Sequence, residues 1–304
     1  MLVKTQFNIK DLENLSGVKA HTIRIWEKRY GLLEPNRTDT NIRKYDLENL
    51  KKLLNVTFLY NEGIKISKIA KLSEEEIQQI IEERATQKQE DYAMKAFKTA
   101  MFDFDYTLFA TTFNELSERM SFREIFMDVF IPLLQEIGTL WQTGTIDPAH
   151  ERFISELIKQ KIIVNISNLQ SVQAPERDDI LFSLYLPYEE IHEIGLLYAH
   201  YEILQAGYQT IYLGSNIPLP SLRNVLKHHD NVVFVSFFTV KPDKVSLYEY
   251  LKEYDKIICK EQLSDLWLMG AKTREVEASK VPEHVSVIGT IEGLLEKLNS
   301  LKKS

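Results

Sequence analysis

Cysteine is nearly missing from this chain of 304 residues, and Cys259 is the single one. That excludes an intrachain disulfide and a Cys-rich zinc site. Long apolar runs are missing too: none approaches the ~18–20 residues that a membrane-spanning helix needs. The opening Met1 to Phe7 has no extended apolar stretch of the kind that marks a secretory signal. A cytoplasmic protein without a membrane partner is expected. Internal repeats and low-complexity tracts are also absent. What remains is globular in composition, with 44% hydrophobic and 27% charged residues, and its length suggests two or three domains.

The net charge of -7 is unevenly spread. Residues 1–73 hold 14 Lys and Arg against 8 Asp and Glu, whereas the remainder holds 23 against 36. A basic head on an acidic body fits a DNA-binding module joined to one that does not touch DNA.

The head carries helix punctuation. Asn8 can cap a helix, with Phe7 and Leu12 at the positions of a hydrophobic staple, and Ser16-Gly17 ends it. A second helix is expected over about Ala20 to Arg29, with Ile23, Trp26 and Tyr30 as a buried stripe and His21, Arg24 and Lys28 on the other face. Two short helices around a glycine-containing turn form a helix-turn-helix. Pro35 follows, and the basic stretch Asn36 to Tyr45 reads as a two-stranded wing turning near Asp39 to Asn41. Asp46 then caps a helix bearing Leu47, Leu50, Leu53 and Leu54.

Ile23 to Leu32, which contains Trp26-Glu27-Lys28-Arg29-Tyr30-Gly31-Leu32, together with Pro35, Arg37, Arg43 and Tyr45, resembles the DNA-binding domain of the MerR family. The form is similar to the branch that contains the CarH/LitR-type light-responsive repressors. The resemblance covers residues 5–75, and Lys19 departs from the Ser or Thr cap usual before the second helix. It implies a double-stranded DNA operator read by His21, Thr22, Arg24, Lys28, Arg37, Arg43 and Tyr45. It also implies a homo-oligomer, dimer or tetramer, because paired half-sites mirror protein symmetry.

The expected domains are a winged helix-turn-helix at 1–75, a helical connector at 76–90, a four-helix bundle at 91–170 and an α/β domain at 177–304, with a linker around Ser171 to Arg177. Wide apolar stripes such as Phe126, Val129, Phe130, Leu133 and Ile137 support the bundle. Beyond the linker the period changes. Apolar strands at Ile180 to Leu186, Thr210 to Leu213, Val232 to Phe238, Leu266 to Met269 and Val285 to Ile288 alternate with helices. They predict a flavodoxin-like, doubly wound parallel sheet of five strands.

Ligands sit at the carboxyl ends of such strands. There, Glu190-x-His192-x-x-Gly195, Ser236 and Gly270 resemble the cobalamin-binding domain shared by methionine synthase, cobalamin-dependent mutases and CarH-type repressors. Glu190 stands for the usual Asp and Ala271 for a second Gly. The resemblance makes His192 the lower ligand of cobalt, with Glu190 orienting it. Gly195 and Gly270 would leave room for the nucleotide tail, and Ser236 would bond it. Leu133 to Gly144 resembles the helical cap over cobalamin's upper face, which would place Trp141 over the upper ligand and Glu151 against a deoxyadenosyl group. Light sensors of this group have His after the Trp and Glu-His at the second site. Here Gln142 and Glu151-Arg152 stand instead, leaving His150 as the nearest imidazole.

A receiver-like domain would need an aspartate ending the third strand, where Ser236-Phe237-Phe238 stands. No catalytic barrel fits in the remaining length, so an enzyme is not expected. The expectation is a transcription regulator, with repression the sign implied by resemblance. Adenosylcobalamin or methylcobalamin would control its oligomeric state, operator affinity and possible light response. The alternative is a cobalamin-independent regulator whose C-terminal region binds another ligand or a protein.

Overall fold

The structure, a computed structural model, describes residues 6–85, 89–172, 176–242, 246–260 and 262–301. Its contacts group into two units, Met1–Leu157 and Ile158–Ser304. Residues 86–88 of the expected connector and 173–175 of the expected linker lie outside the described residues.

In the first unit, α1 (Ile9–Ser16) starts at a reciprocal cap. The Asn8 side chain accepts from the N–H groups of Lys10 at 2.8 Å and Asp11 at 3.1 Å, and Asp11 accepts the Asn8 N–H at 2.8 Å. Phe7 and Leu12 are fully buried, as staple residues should be. Gly17 ends the helix at φ 72°, a conformation that costs glycine least. The cap missing at Lys19 is supplied from α1. Glu13 accepts the Ala20 N–H at 3.3 Å and pairs with Lys19 at 3.3 Å, which closes the start of α2 (Ala20–Tyr30). Ile23 and Trp26 are buried, and Trp26 meets Tyr60 edge-on at 5.1 Å.

Strands β1 (Asn36–Arg37) and β2 (Arg43–Lys44) pair antiparallel as the wing. Asp46 caps α3 (Leu47–Asn61), which buries Leu50, Leu53 and Leu54. α4 (Ile66–Ile69) and α5 (Glu74–Ala85) lead to four helical segments. These are α6 (Gln89–Asp103), α7 (Tyr106–Ser117), α8 (Phe122–Glu124) running through a π-helical stretch (Ile125–Phe130) into α9 (Ile131–Gln142), and α10 (Pro148–Val172). Fully buried Phe97, Phe109 and Phe130 form the aromatic centre of this bundle, with ring centroids 4.9–6.3 Å apart. The head rests on it. Phe7 meets Phe102 edge-on at 5.7 Å, Lys51 pairs with Asp103 at 2.8 Å, and Asn14 donates to Thr145 at 3.1 Å.

The second unit contains β3 (Arg177–Pro187), α11 (Ile194–Gln205), β4 (Tyr208–Ile217), α12 (Arg223–Leu226), β5 (Val232–Phe237), α13 (Leu247–Tyr254), β6 (Asp265–Met269), β7 (Val285–Gly289) and α14 (Ile291–Leu301). The five strands are parallel in the order β4-β3-β5-β6-β7. This is the doubly wound sheet expected from the apolar runs. One face packs Tyr185, Phe234 and Leu268 under Leu247, Leu251 and Tyr254 of α13. On the other, Phe182 lies 5.1 Å from Tyr208 and 5.0 Å from Trp267. The chain leaves β3 toward one edge and β5 toward the other, so the crevice at their carboxyl ends is the topological switch point. Among the described residues no helix is long and apolar enough to cross a membrane.

Candidate functional site

The expected DNA face divides into exposed and committed residues. His21, Arg24 and Lys28 on α2 and Arg37 in the wing are exposed, and Thr22 is half-buried. Arg37 donates to Asn41 at 2.7 Å within the wing turn. Arg43 and Tyr45 are engaged within the head. The Arg43 Nε donates to both oxygens of Glu27, at 2.9 and 3.1 Å, and the Tyr45 hydroxyl donates to Glu27 at 2.9 Å. Tyr45 is fully buried. Burial first, then the Glu27 carboxylate, pushes its phenol well above the ordinary range, so it stays a donor. Both residues fix the wing against α2, through a Glu27 that sequence reasoning passed over. Arg24, Lys28 and Arg37 keep the chemistry of phosphate and base-edge contacts.

At the switch point of the second unit, Glu190 follows β3 and is fully buried. Its Oε1 accepts from the N–H groups of Ile191 at 3.0 Å and His192 at 3.1 Å, and faces the His192 Nδ1 at 2.5 Å. Its Oε2 accepts from Thr239, Val240 and Lys241, at 3.1, 2.8 and 2.9 Å, in the loop after β5. Burial alone would raise the Glu190 pKa. The His192 contact and the surrounding N–H groups outweigh it and hold the carboxyl far below the usual range. An ionised Glu190 can only accept, so the His192 Nδ1 carries the proton of this pair and Nε2 is the ring nitrogen that a metal would use. The imidazole is about half exposed. A metal-ligating histidine is oriented in this way through its other ring nitrogen, and the donor fits cobalt.

The residues expected to line a nucleotide tail are closely packed. A Cβ on Gly195 would lie 2.5 Å from the Phe237 ring, and one on Gly270, at φ 96°, would lie 2.7 Å from the Phe238 carbonyl oxygen. Both glycines are points where a side chain would collide with the chain's own packing. Ser236 is fully buried and donates to the Tyr185 carbonyl at 2.9 Å across the switch point. A cavity of about 370 Å³ in this unit lies at the opposite, amino end of the strands, beside Tyr208 and His229. It is remote from His192 and shares none of its chemistry.

In the bundle, Trp141 is 55% exposed, which removes core packing as the reason for a tryptophan there. Glu151 is half-buried and accepts from Ser155 at 2.9 Å, while exposed Arg152 pairs with Glu156. His150 is buried, stacked on Phe104 at 5.0 Å and beside Phe102 at 5.2 Å, with Nδ1 accepting the Asp147 N–H at 3.3 Å. Burial lowers its pKa and encloses it. It is not the accessible imidazole that the sequence offered in place of Gln142.

Residues 7–76 match the model of the MerR HTH family regulatory proteins, and residues 93–164 match that of the B12 binding domain. The HTH-type transcriptional repressor CarH of Myxococcus xanthus is 26% identical over 228 residues, spanning 73% of this chain and 75% of CarH. The repressor CarA of the same organism is 26% identical over 239 residues, 75% of each chain. The transcriptional regulator MlrA of Escherichia coli is 29% identical over 66 residues, 22% of this chain and 27% of MlrA. The Methanosarcina barkeri monomethylamine corrinoid protein aligns in structure with a TM-score of 0.55 at 12% identity, covering 67% of this chain and 96% of that one. That likeness is one of fold.

Proposed function

Starting from a chain that carries a MerR-type helix-turn-helix head and a B12-binding domain, we propose that it is a transcription regulator whose operator affinity follows cobalamin occupancy, with His192 as the lower ligand of cobalt. The observation that carries this reading is the Glu190–His192 pair. A fully buried carboxylate held by five backbone N–H groups serves to fix one imidazole at the switch point. A structural histidine does not need that much support. When bound, cobalamin would supply a cobalt centre that accepts one axial nitrogen and carries an exchangeable upper ligand.

The chain's own residues have separable tasks. Glu190 holds the His192 proton on Nδ1, and Phe237 must turn aside for a nucleotide tail. Exposed Trp141 and half-buried Glu151 are the proposed contacts of the upper ligand. The packing of Phe7, Asn14 and Lys51 on Phe102, Thr145 and Asp103 gives the bundle a direct hold on the head. Ligand-dependent change in the bundle or in oligomeric state would thereby bias DNA affinity, a coupling that must run in both directions. Filling of the tail cradle by Phe237 favours a second reading, in which the fold is kept and cobalamin is lost.

Absorption spectroscopy decides between them. Protein purified with adenosylcobalamin or methylcobalamin should show the cofactor with its own dimethylbenzimidazole displaced by imidazole. His192→Ala should lose tight binding or retain the dimethylbenzimidazole-ligated form. A variant with wild-type affinity and spectrum would exclude the ligation, and a wild type that binds no corrinoid would support the second reading.

A further inference from the structure

We infer that Asp255, Cys259 and His284 form a site for a borderline-soft divalent metal ion, zinc(II) by its chemistry, separate from the His192 site. Each offers one ligand atom, and the three atoms lie within 4.8 Å of one another. Asp255 and Cys259 open and close a π-helical segment (Asp255–Cys259) that continues α13, and His284 immediately precedes β7. Three donors from two elements therefore meet beside the amino ends of β6 and β7. His192 lies beyond the carboxyl ends of the sheet.

The donor set is mixed nitrogen, oxygen and sulfur, which suits zinc over magnesium or calcium. Tetrahedral donors on bonds of about 2.0–2.3 Å sit roughly 3.3–3.8 Å apart. The His284 Nε2 and Asp255 Oδ1 are now 2.7 Å apart, bridged by a proton. An ion replacing that proton would widen this pair by about half an ångström and draw the thiolate in. All three residues are partly buried, so the fourth position falls to water. The surroundings hold the donors in place and are electronegative. The Tyr254 ring stacks on His284, and the Tyr254 hydroxyl donates to the Ser264 carbonyl, toward which the Cys259 Sγ also points at 3.7 Å. Burial, together with the carboxylates of Asp255 and Asp265, pushes the thiol pKa up. A cation reverses that preference, since the thiolate is the ligand. On binding, the Cys259 S–H bond breaks, a sulfur–metal bond forms and the proton goes to solvent. His284 would bind through Nε2, so the proton it shares there with Asp255 passes to Nδ1.

The test uses full-length, corrinoid-free protein stripped with a chelator and titrated with cobalt(II) as a spectroscopic stand-in, followed by zinc(II). One equivalent of cobalt(II) should give a thiolate-to-metal charge-transfer band that zinc(II) bleaches, with release of about one proton per ion. Because Cys259 is the chain's only cysteine, the band has one possible source. Cys259→Ser should abolish it. His284→Ala and Asp255→Asn should each weaken binding more than tenfold, since losing a mere outer-shell partner costs about 10–100-fold. Zinc(II) should raise the wild-type unfolding midpoint and leave that of Cys259→Ser unchanged. The inference is overturned if folded wild type shows no such band, or if Asp255→Asn, which keeps the side chain's shape, binds as tightly as wild type.

Discussion

Replacing Glu190 by Gln keeps the shape of the side chain and removes its charge. The consequence follows from its six donors. Oε1 receives two backbone N–H groups and the His192 ring, and Oε2 receives three backbone N–H groups. An amide has one accepting end, so whichever way it is seated at least two backbone donors face an NH2 group. A buried polar group left unpaired costs about 1–3 kcal/mol. Allowing for relaxation of the loop at 239–241, Glu190→Gln should destabilise the second unit by about 2–4 kcal/mol at neutral pH. The pH dependence has a definite sign. The folded-state pKa is depressed, so the carboxylate's contribution is complete above the ordinary glutamate value of about 4.3. Below that value it is lost by up to about 1.4 kcal/mol per pH unit. Urea unfolding followed by the fluorescence of Trp267, in a background of Trp26→Phe and Trp141→Phe, reports this unit selectively. A difference below about 0.5 kcal/mol at neutral pH, or one that grows as pH falls, would refute the cage.

Other substitutions separate the remaining roles. Arg24→Ala should weaken DNA binding and reduce its log–log salt slope by about 0.9, whereas Arg43→Ala should chiefly lower the unfolding midpoint of the head, by releasing Glu27 and the wing; equal salt slopes for the two variants would dissolve the distinction. Gly270→Ala should cost more than about 2 kcal/mol in denaturant unfolding, from a 2.7 Å approach to backbone at positive φ; a near-neutral midpoint would contradict the packing. Phe237→Ala should raise affinity for complete cobalamin relative to cobinamide, which lacks the nucleotide tail; an unchanged ratio by spectral titration would show that the ring does not gate the tail. Illumination of adenosylcobalamin-loaded protein should leave no stable bis-imidazole spectrum, because His150 is enclosed by Phe102 and Phe104; a bis-imidazole band that vanishes in His150→Ala would contradict this.

Where the determinants are local, they are legible in the sequence. Asn8 and Gly17 mark helix ends because caps and left-handed turns are set within a few residues, and five apolar runs mark the five strands of the sheet. The motif around His192 is local as well, and it brought Glu190 to the right ring. What escaped is non-local. The start of α2 is capped by Glu13, a residue of the preceding helix, where position 19 itself shows only a lysine. The resemblance offered Arg43 and Tyr45 as DNA contacts, and it could not show that Glu27, sixteen and eighteen residues away, engages both. Gly195 and Gly270 read as positions that leave room for a nucleotide tail. Their neighbours, the Phe237 ring and the Phe238 backbone, become visible only once β5 and β6 lie side by side.

The central claim is that cobalamin occupancy and DNA affinity are coupled through His192. Its most direct test is a DNA-binding titration of the full-length protein, on duplexes selected from a random pool, with and without saturating cobalamin. The account predicts that cobalamin changes the wild-type affinity by at least about fivefold, the lower end of ordinary allosteric coupling, and leaves that of His192→Ala unchanged. Identical wild-type affinities in the presence and absence of bound cobalamin would contradict it.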